Sequence, residues 1–192
     1  MYTIVETDKI GKNFVLGDFS IIRKDVTIGD NVEIGEYCLI GNPPSSVELL
    51  DSITERLGLS RGLVIGNNVR IHAYSAINVG KDESTIIEDN VVMLPGVFIG
   101  HDCHVHKSVR IMARVLLNGH VTIGENTIIS AGTVIRNRIN IGKNCMIGMG
   151  SNVVKDIPDG VIAYGNPCVV IDKNTLPVNA IRKILKEVKK VF

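Results

Sequence analysis

Residues 99–122, written in sixes, read IGHDCH VHKSVR IMARVL LNGHVT, and each group opens on an aliphatic residue. The register extends both ways. It runs from Ile87 through Met93, Ile99, Val105, Ile111, Leu117, Ile123, Ile129, Ile135, Ile141 and Ile147 to Val153. An earlier series holds Ile10, Leu16, Ile22, Ile28, Ile34 and Ile40, and Ile65, Ile71 and Ile77 lie between the two. All 21 positions are Ile, Leu, Val or Met, where chance at this chain's composition would fill about seven. Position two is Gly in ten of them. Position five is small or β-branched, as at Val26, Val32, Cys38, Val97, Cys103, Val109, Thr127, Thr133, Cys145 and Ser151.

Positions five and one are two apart across the hexad boundary, so Val97-Phe98-Ile99 reads inward, outward, inward, as a strand does. Positions one and five of one hexad are four apart. The chain must therefore turn at positions two to four, where the glycines cluster. A short strand and a corner, repeated, form a solenoid wrapped around its own aliphatic core, the hexapeptide β-helix pattern. The pattern resembles that of the left-handed parallel β-helix acyltransferases, and the resemblance implies three faces, hence three hexads, per coil.

Composition agrees. The 192 residues include 27 Ile and 24 Val but 12 Leu, with four Phe, four Tyr, no Trp and 19 Gly. β-Branched side chains suit pleated surfaces better than helices, which argues against a helical bundle. Lys and Arg number 21 against 20 Asp and Glu, a net charge of +1, so bulk charge points neither to nucleic acid nor to an anionic membrane. No apolar run approaches the ~20 residues of a membrane span. The opening Met1-Tyr2-Thr3-Ile4-Val5-Glu6 lacks the pattern of a signal peptide. The expectation is a soluble cytoplasmic protein with reduced cysteines. Cys38, Cys103 and Cys145 fall at inward positions and read as small core residues.

Two segments interrupt the hexads. Residues 43–62 carry Leu49, Leu50, Ile53 and Leu57 at helical spacing and read as an extruded loop or short helix. Such a loop either reaches a ligand or neighbouring subunit or is simply a tolerated insertion. Residues 79–85 form a smaller bulge with Asp82 and Glu83 exposed. The β-helix is expected over residues 1–172, followed over 173–192 by an amphipathic α-helix. There Ile181, Ile184, Leu185, Val188 and Val191 face one way and Arg182, Lys183, Lys186, Lys189 and Lys190 the other. Covering the strand edge of the last coil is favoured for it over lying on a membrane surface.

Position three of each hexad is an outward corner. With three hexads per coil, one vertical edge reads Asp89, Lys107, Glu125, Lys143, a solvated line without evident task. A second reads Pro95, Ala113, Ala131, Met149, an uncharged stripe that leaves room for a slender ligand. The third reads His101, Gly119, Asn137, Lys155, and sets an imidazole one rung, ~4.8 Å, from an unobstructed amide. An imidazole accepts protons near neutrality, and a free amide stabilises a developing oxyanion. Asp102 is in position to orient His101 if the corner folds the two together; otherwise His101 reads as a surface histidine. His101, His104 and His106 occupy positions three, six and two, which are expected to diverge, so no metal site is expected.

The blocks Ile99-Gly100-His101-Asp102-Cys103 and Asn118-Gly119-His120-Val121, with Asp156 to Pro167, narrow the resemblance to the hexapeptide-repeat acyltransferases that act on nucleotide-linked sugars. It implies a homotrimer with active sites between prisms. It implies a general base at His101, oriented by Asp102, and an oxyanion-binding amide at Gly119. It also implies substrate contacts at His120 with its neighbour Asn118, and backbone at Ala131 and Met149 lining the coenzyme A arm. Two donors fit: acetyl-CoA or another acyl-CoA, favoured by the Gly165-Asn166-Pro167-Cys168 ending, or an acyl carrier protein thioester. The expected reaction is acylation of a hydroxyl or amine of a sugar. The alternatives are an acyl-carrier-protein-dependent UDP-N-acetylglucosamine O-acyltransferase and a non-catalytic scaffold. The Gln-Asp motif of the acyl-carrier-protein branch is replaced around Pro43-Pro44-Ser45-Ser46, and Phe98 stands where that branch has a histidine.

Overall fold

The computed structural model describes residues 2–44 and 60–173. Short strands stack into three sheets. Face one holds Ile4–Val5, Ile21–Ile22, Leu39–Asn42, Ala76–Asn78, Phe98–Ile99, Leu116–Leu117, Val134–Ile135 and Asn152–Val153. Face two holds Val26–Ile28, Leu63–Ile65, Thr85–Ile87, His104–Val105, Thr122–Ile123 and Asn140–Ile141. Face three runs from Val15–Leu16 through Glu33–Ile34, Arg70–Ile71, Val92–Met93, Arg110–Ile111, Ile128–Ile129 and Met146–Ile147 to Val161–Gly165 and Cys168–Lys173. Phe98 pairs in parallel with Leu116, His104 with Thr122 and Arg110 with Ile128. Each coil is therefore three strands and three corners, as expected.

The inward positions fill the prism. Ile99, Val105, Ile111, Leu117, Ile123, Ile129 and Ile135 are all 0% exposed, and the position-five residues Val109, Val115, Val121 and Cys145 are equally buried. All four cysteines are free and buried.

The corners revise one expectation. The positive φ falls mainly on position four, and among the position-two glycines on Gly41 alone: Asn13, Asn31, Asn68, Asn90, Asn126 and Asn144 all lie between 55° and 61°. Asparagine tolerates this left-handed conformation best among residues with a side chain. The position-two glycines answer a different demand, close approach of coils. A Cβ on Gly124 would stand 2.5 Å from the Lys143 nitrogen. Three aromatics also occupy position four, and Phe19, Tyr37 and Tyr74 stack at centroid spacings of 5.0 and 5.2 Å up the outside, offsetting part of the backbone cost.

The two interruptions show as jumps in register. From Ile86 to Val153 the partners sit three hexads apart, as Phe98 and Leu116 do. Val26 instead pairs with Leu63, and Leu63 with Thr85, so both intervals carry extra chain, a long insertion in the first and a short one in the second. Residues 45–59, and with them most of the expected 43–62 loop, lie outside the described residues, as does all of the expected 173–192 helix except Lys173, which ends a strand instead. Within the described residues, Cys168–Lys173 folds back antiparallel on Val161–Gly165 and covers the edge of face three.

Candidate active site

The corner between faces one and two brings His101 and Asp102 together. Asp102 sits at position four with φ 57°, and this left-handed turn swings its carboxylate back beneath the preceding imidazole. His101 Nδ1 lies 2.6 Å from Asp102 Oδ2. Neighbouring side chains, expected to diverge on an extended strand, converge because the corner is folded.

The other carboxylate oxygen is held by the short bulge between Val79 and Thr85. Asp102 Oδ1 accepts the backbone N–H groups of Lys81 at 2.9 Å, Asp82 at 2.9 Å and Glu83 at 2.8 Å. Gly80 makes that turn possible, since a Cβ there would meet the Glu83 carbonyl oxygen. The Asp102 side chain is only 2% exposed. Burial alone pushes its carboxyl up, but hydrogen bonds from His101 and the amides of Glu83, Asp82 and Lys81 outweigh that and hold it below the usual value. The Asp102 carboxylate is placed to accept a hydrogen bond from Nδ1–H, the tautomer that turns the Nε2 lone pair towards the site.

Gly119 occupies the same corner one coil on. A Cβ there would stand 2.7 Å from both Cε1 and Nε2 of His101, so the imidazole lies in the space that glycine vacates. The Gly119 amide donates to no group among the described residues, although its carbonyl accepts from Arg138 at 3.0 Å. Along the edge through Asp89 and Lys143, four position-three amides are capped by the side chain of the next coil. Asp30 takes Lys12 N–H, Asn67 takes Asp30, Asp89 takes Asn67 and Asp159 takes Lys143. The edge through Asp89 and Lys143, expected to have no task, is in part this capping ladder. Gly119 lies outside it.

His120 completes the group. Its ring meets that of His101 edge-on at 5.2 Å, and its Nε2 lies 3.5 Å from Asp102 Oδ2 and 3.7 Å from Asp82 Oδ2. Asn118 is turned towards the scaffold, with Nδ2 donating to the Ile135 carbonyl at 2.8 Å. Cys103 is not a nucleophile: burial pushes its thiol up to about 12, and Sγ–H bonds the Asn118 carbonyl at 3.1 Å. Ala131 and Met149 lie on a separate edge, across face one from His101. Met149 is 78% exposed, and Cβ atoms built on Gly132 and Gly150 beside them would meet nothing within 4 Å. The amides of residues 81–83 and the carboxylate of Asp82 are site groups that motif reading missed. Their signal was the change of register between Val79 and Thr85, one coil before His101.

The family described as Bacterial transferase hexapeptide (six repeats) matches residues 9–42 and 102–137. An acyl-[acyl-carrier-protein]–UDP-N-acetylglucosamine O-acyltransferase of Burkholderia orbicola is 34% identical over 143 residues, 72% of this chain and 52% of that protein. The chain thus spans about half the length of such curated relatives. A UDP-N-acetylglucosamine acyltransferase from Campylobacter jejuni superposes with TM-score 0.73 at 25% identity, covering 98% of this chain and 79% of that one. PerB from Caulobacter crescentus, solved with CoA and GDP-perosamine, gives TM-score 0.52 at 25% identity over 71% of this chain and 70% of its own. Repeat, register and these likenesses agree: the chain is a hexapeptide-repeat protein with the left-handed parallel β-helix fold of the UDP-N-acetylglucosamine acyltransferases.

Proposed function

We propose that this chain is an acyltransferase that moves an acyl group from a thioester to a nucleotide-linked sugar, with His101 as general base. The observation that carries the reading is the pairing of an oriented imidazole, His101 on Asp102 at 2.6 Å, with the uncommitted Gly119 amide beside it. His101 Nε2 takes the proton of the acceptor hydroxyl as its oxygen attacks the thioester carbonyl. The tetrahedral oxyanion is met by the Gly119 N–H. The C–S bond then breaks, and the thiol leaves with the proton carried by Nε2. His120 faces the acceptor side in this reading, Asn118 braces the coil behind it through its bond to the Ile135 carbonyl, and the open edge at Ala131 and Met149 carries the donor's arm.

The B. orbicola relative is named for an acyl carrier protein donor and a UDP-N-acetylglucosamine acceptor, which favours that donor and O-acylation. PerB, crystallised with CoA, and the bare Ala131–Met149 edge support acyl-CoA as the second reading. A homotrimer fits the outward side of face one, where Ala76, Phe98, Leu116 and Val134 pair in sequence and form an apolar stripe.

Thermal-shift and transfer assays with acyl carrier protein thioesters and acyl-CoA, each with UDP-N-acetylglucosamine, test the proposal. Ligands that bind only the folded state raise Tm. Transfer from either donor, lost in His101→Ala, supports it. Absence of binding and transfer with both donors favours a non-catalytic scaffold.

A further inference from the structure

Face two carries a second cluster of donor groups, outside the catalytic corner. His104 and His106 flank inward Val105, so both project outward from one strand, contrary to the expectation that they diverge. Glu88 occupies the same hexad position as His106, one coil earlier. Its Oε1 lies 2.8 Å from His104 Nε2 and 2.9 Å from His106 Nδ1, and the two rings stack at 4.0 Å. The second carboxylate oxygen is already fixed, accepting the Lys107 N–H at 2.9 Å. That anchor aims Oε1 at both imidazoles, as outer hydrogen bonds orient metal ligands. The side chains are about one-third exposed, 35% for each histidine and 33% for Glu88, so an ion has a path in.

We propose that Glu88, His104 and His106 bind one late first-row divalent cation, with Zn²⁺ the best fit. Two imidazole nitrogens and one carboxylate oxygen suit zinc with a water in the fourth position. The nitrogens disfavour Mg²⁺ and Ca²⁺, which take oxygen ligands. Ligand bonds of about 2.0–2.1 Å in a tetrahedron place donors about 3.3 Å apart. The Glu88 contacts need open by only about half an ångström to reach that, and all three donor atoms lie within 4.8 Å of one another. His101, Asp102 and His120 also bring three donors within that distance, but there Asp102 is engaged by His101 and three amides. The ion would clamp two successive coils and is independent of the acyltransfer reading.

The test is calorimetric titration of chelator-treated protein with ZnCl₂ alone. The expected result is one ion per chain, retained in His120→Asn, weakened at least about tenfold in Glu88→Gln and lost in the His104→Asn/His106→Asn double variant. Wild-type protein titrated with Co²⁺ provides an arm that needs no variant, with visible bands of a four-coordinate nitrogen–oxygen site expected. No zinc uptake by the wild type, uptake that survives the double variant, uptake lost in His120→Asn, or a cobalt spectrum of the free aqueous ion would each overturn the proposal.

Discussion

The His101 imidazole fills the space where a side chain on Gly119 would stand, 2.7 Å from the position of its Cβ. The two residues share one corner in successive coils, so rung spacing itself sets the base beside the amide. In Gly119→Ala the new methyl must displace the ring from Asp102. The expected cost is about 1–3 kcal/mol of stability, with acyl transfer down at least about tenfold. Steady-state assays alongside denaturant unfolding check it, and wild-type kcat in a folded Gly119→Ala protein would contradict the arrangement.

His101→Ala removes the base without touching the core. Turnover is expected to fall about 10²-fold or more, with Tm within a few degrees of wild type. Transfer at the wild-type rate would take His101 out of the mechanism.

Asp102→Asn replaces a buried acceptor of four hydrogen bonds with a group that cannot accept them all. About 1–3 kcal/mol of stability should be lost near neutral pH, together with turnover, because the imidazole loses its orienting partner. The folded carboxyl lies below its ordinary value. Its stabilisation is therefore complete above the unfolded value of about 3.9 and disappears as pH falls through the lower folded one. The Tm gap between wild type and Asp102→Asn should accordingly narrow below about pH 4; a gap that stays constant through further acidification would show that the charge is not the source.

Gly80→Ala tests the bulge. Its Cβ would collide with the Glu83 carbonyl, so the turn must open and the amides of residues 81–83 must leave Asp102. Activity should fall about as far as in Asp102→Asn, with most of the solenoid's unfolding free energy retained. Unchanged kcat would reduce the bulge to a tolerated insertion.

Ile111→Ala excavates the middle of the prism, where that residue is 0% exposed. A loss of about 2–5 kcal/mol is expected in urea unfolding. A loss under about 0.5 kcal/mol would mean the coil collapses around the gap.

The chain's own residues determined the solenoid, because a six-residue aliphatic period has few other ways to bury itself: the inward Ile and Val positions are the core, with little left over. The same period located the corners, and so nominated His101, Gly119 and the Ala131–Met149 edge. Only the tertiary structure decided what the corners do. Left-handed backbone at Asp102 turned two sequence neighbours into a hydrogen-bonded pair. A short slip in register before Thr85, featureless as composition, became the amide cradle for that carboxylate. The fold also joined His104 and His106 to Glu88 from a different coil. Periodicity specifies which side of the wall a residue is on, whereas contacts between coils depend on φ at single corners and on the lengths of the interruptions, which no hexad encodes.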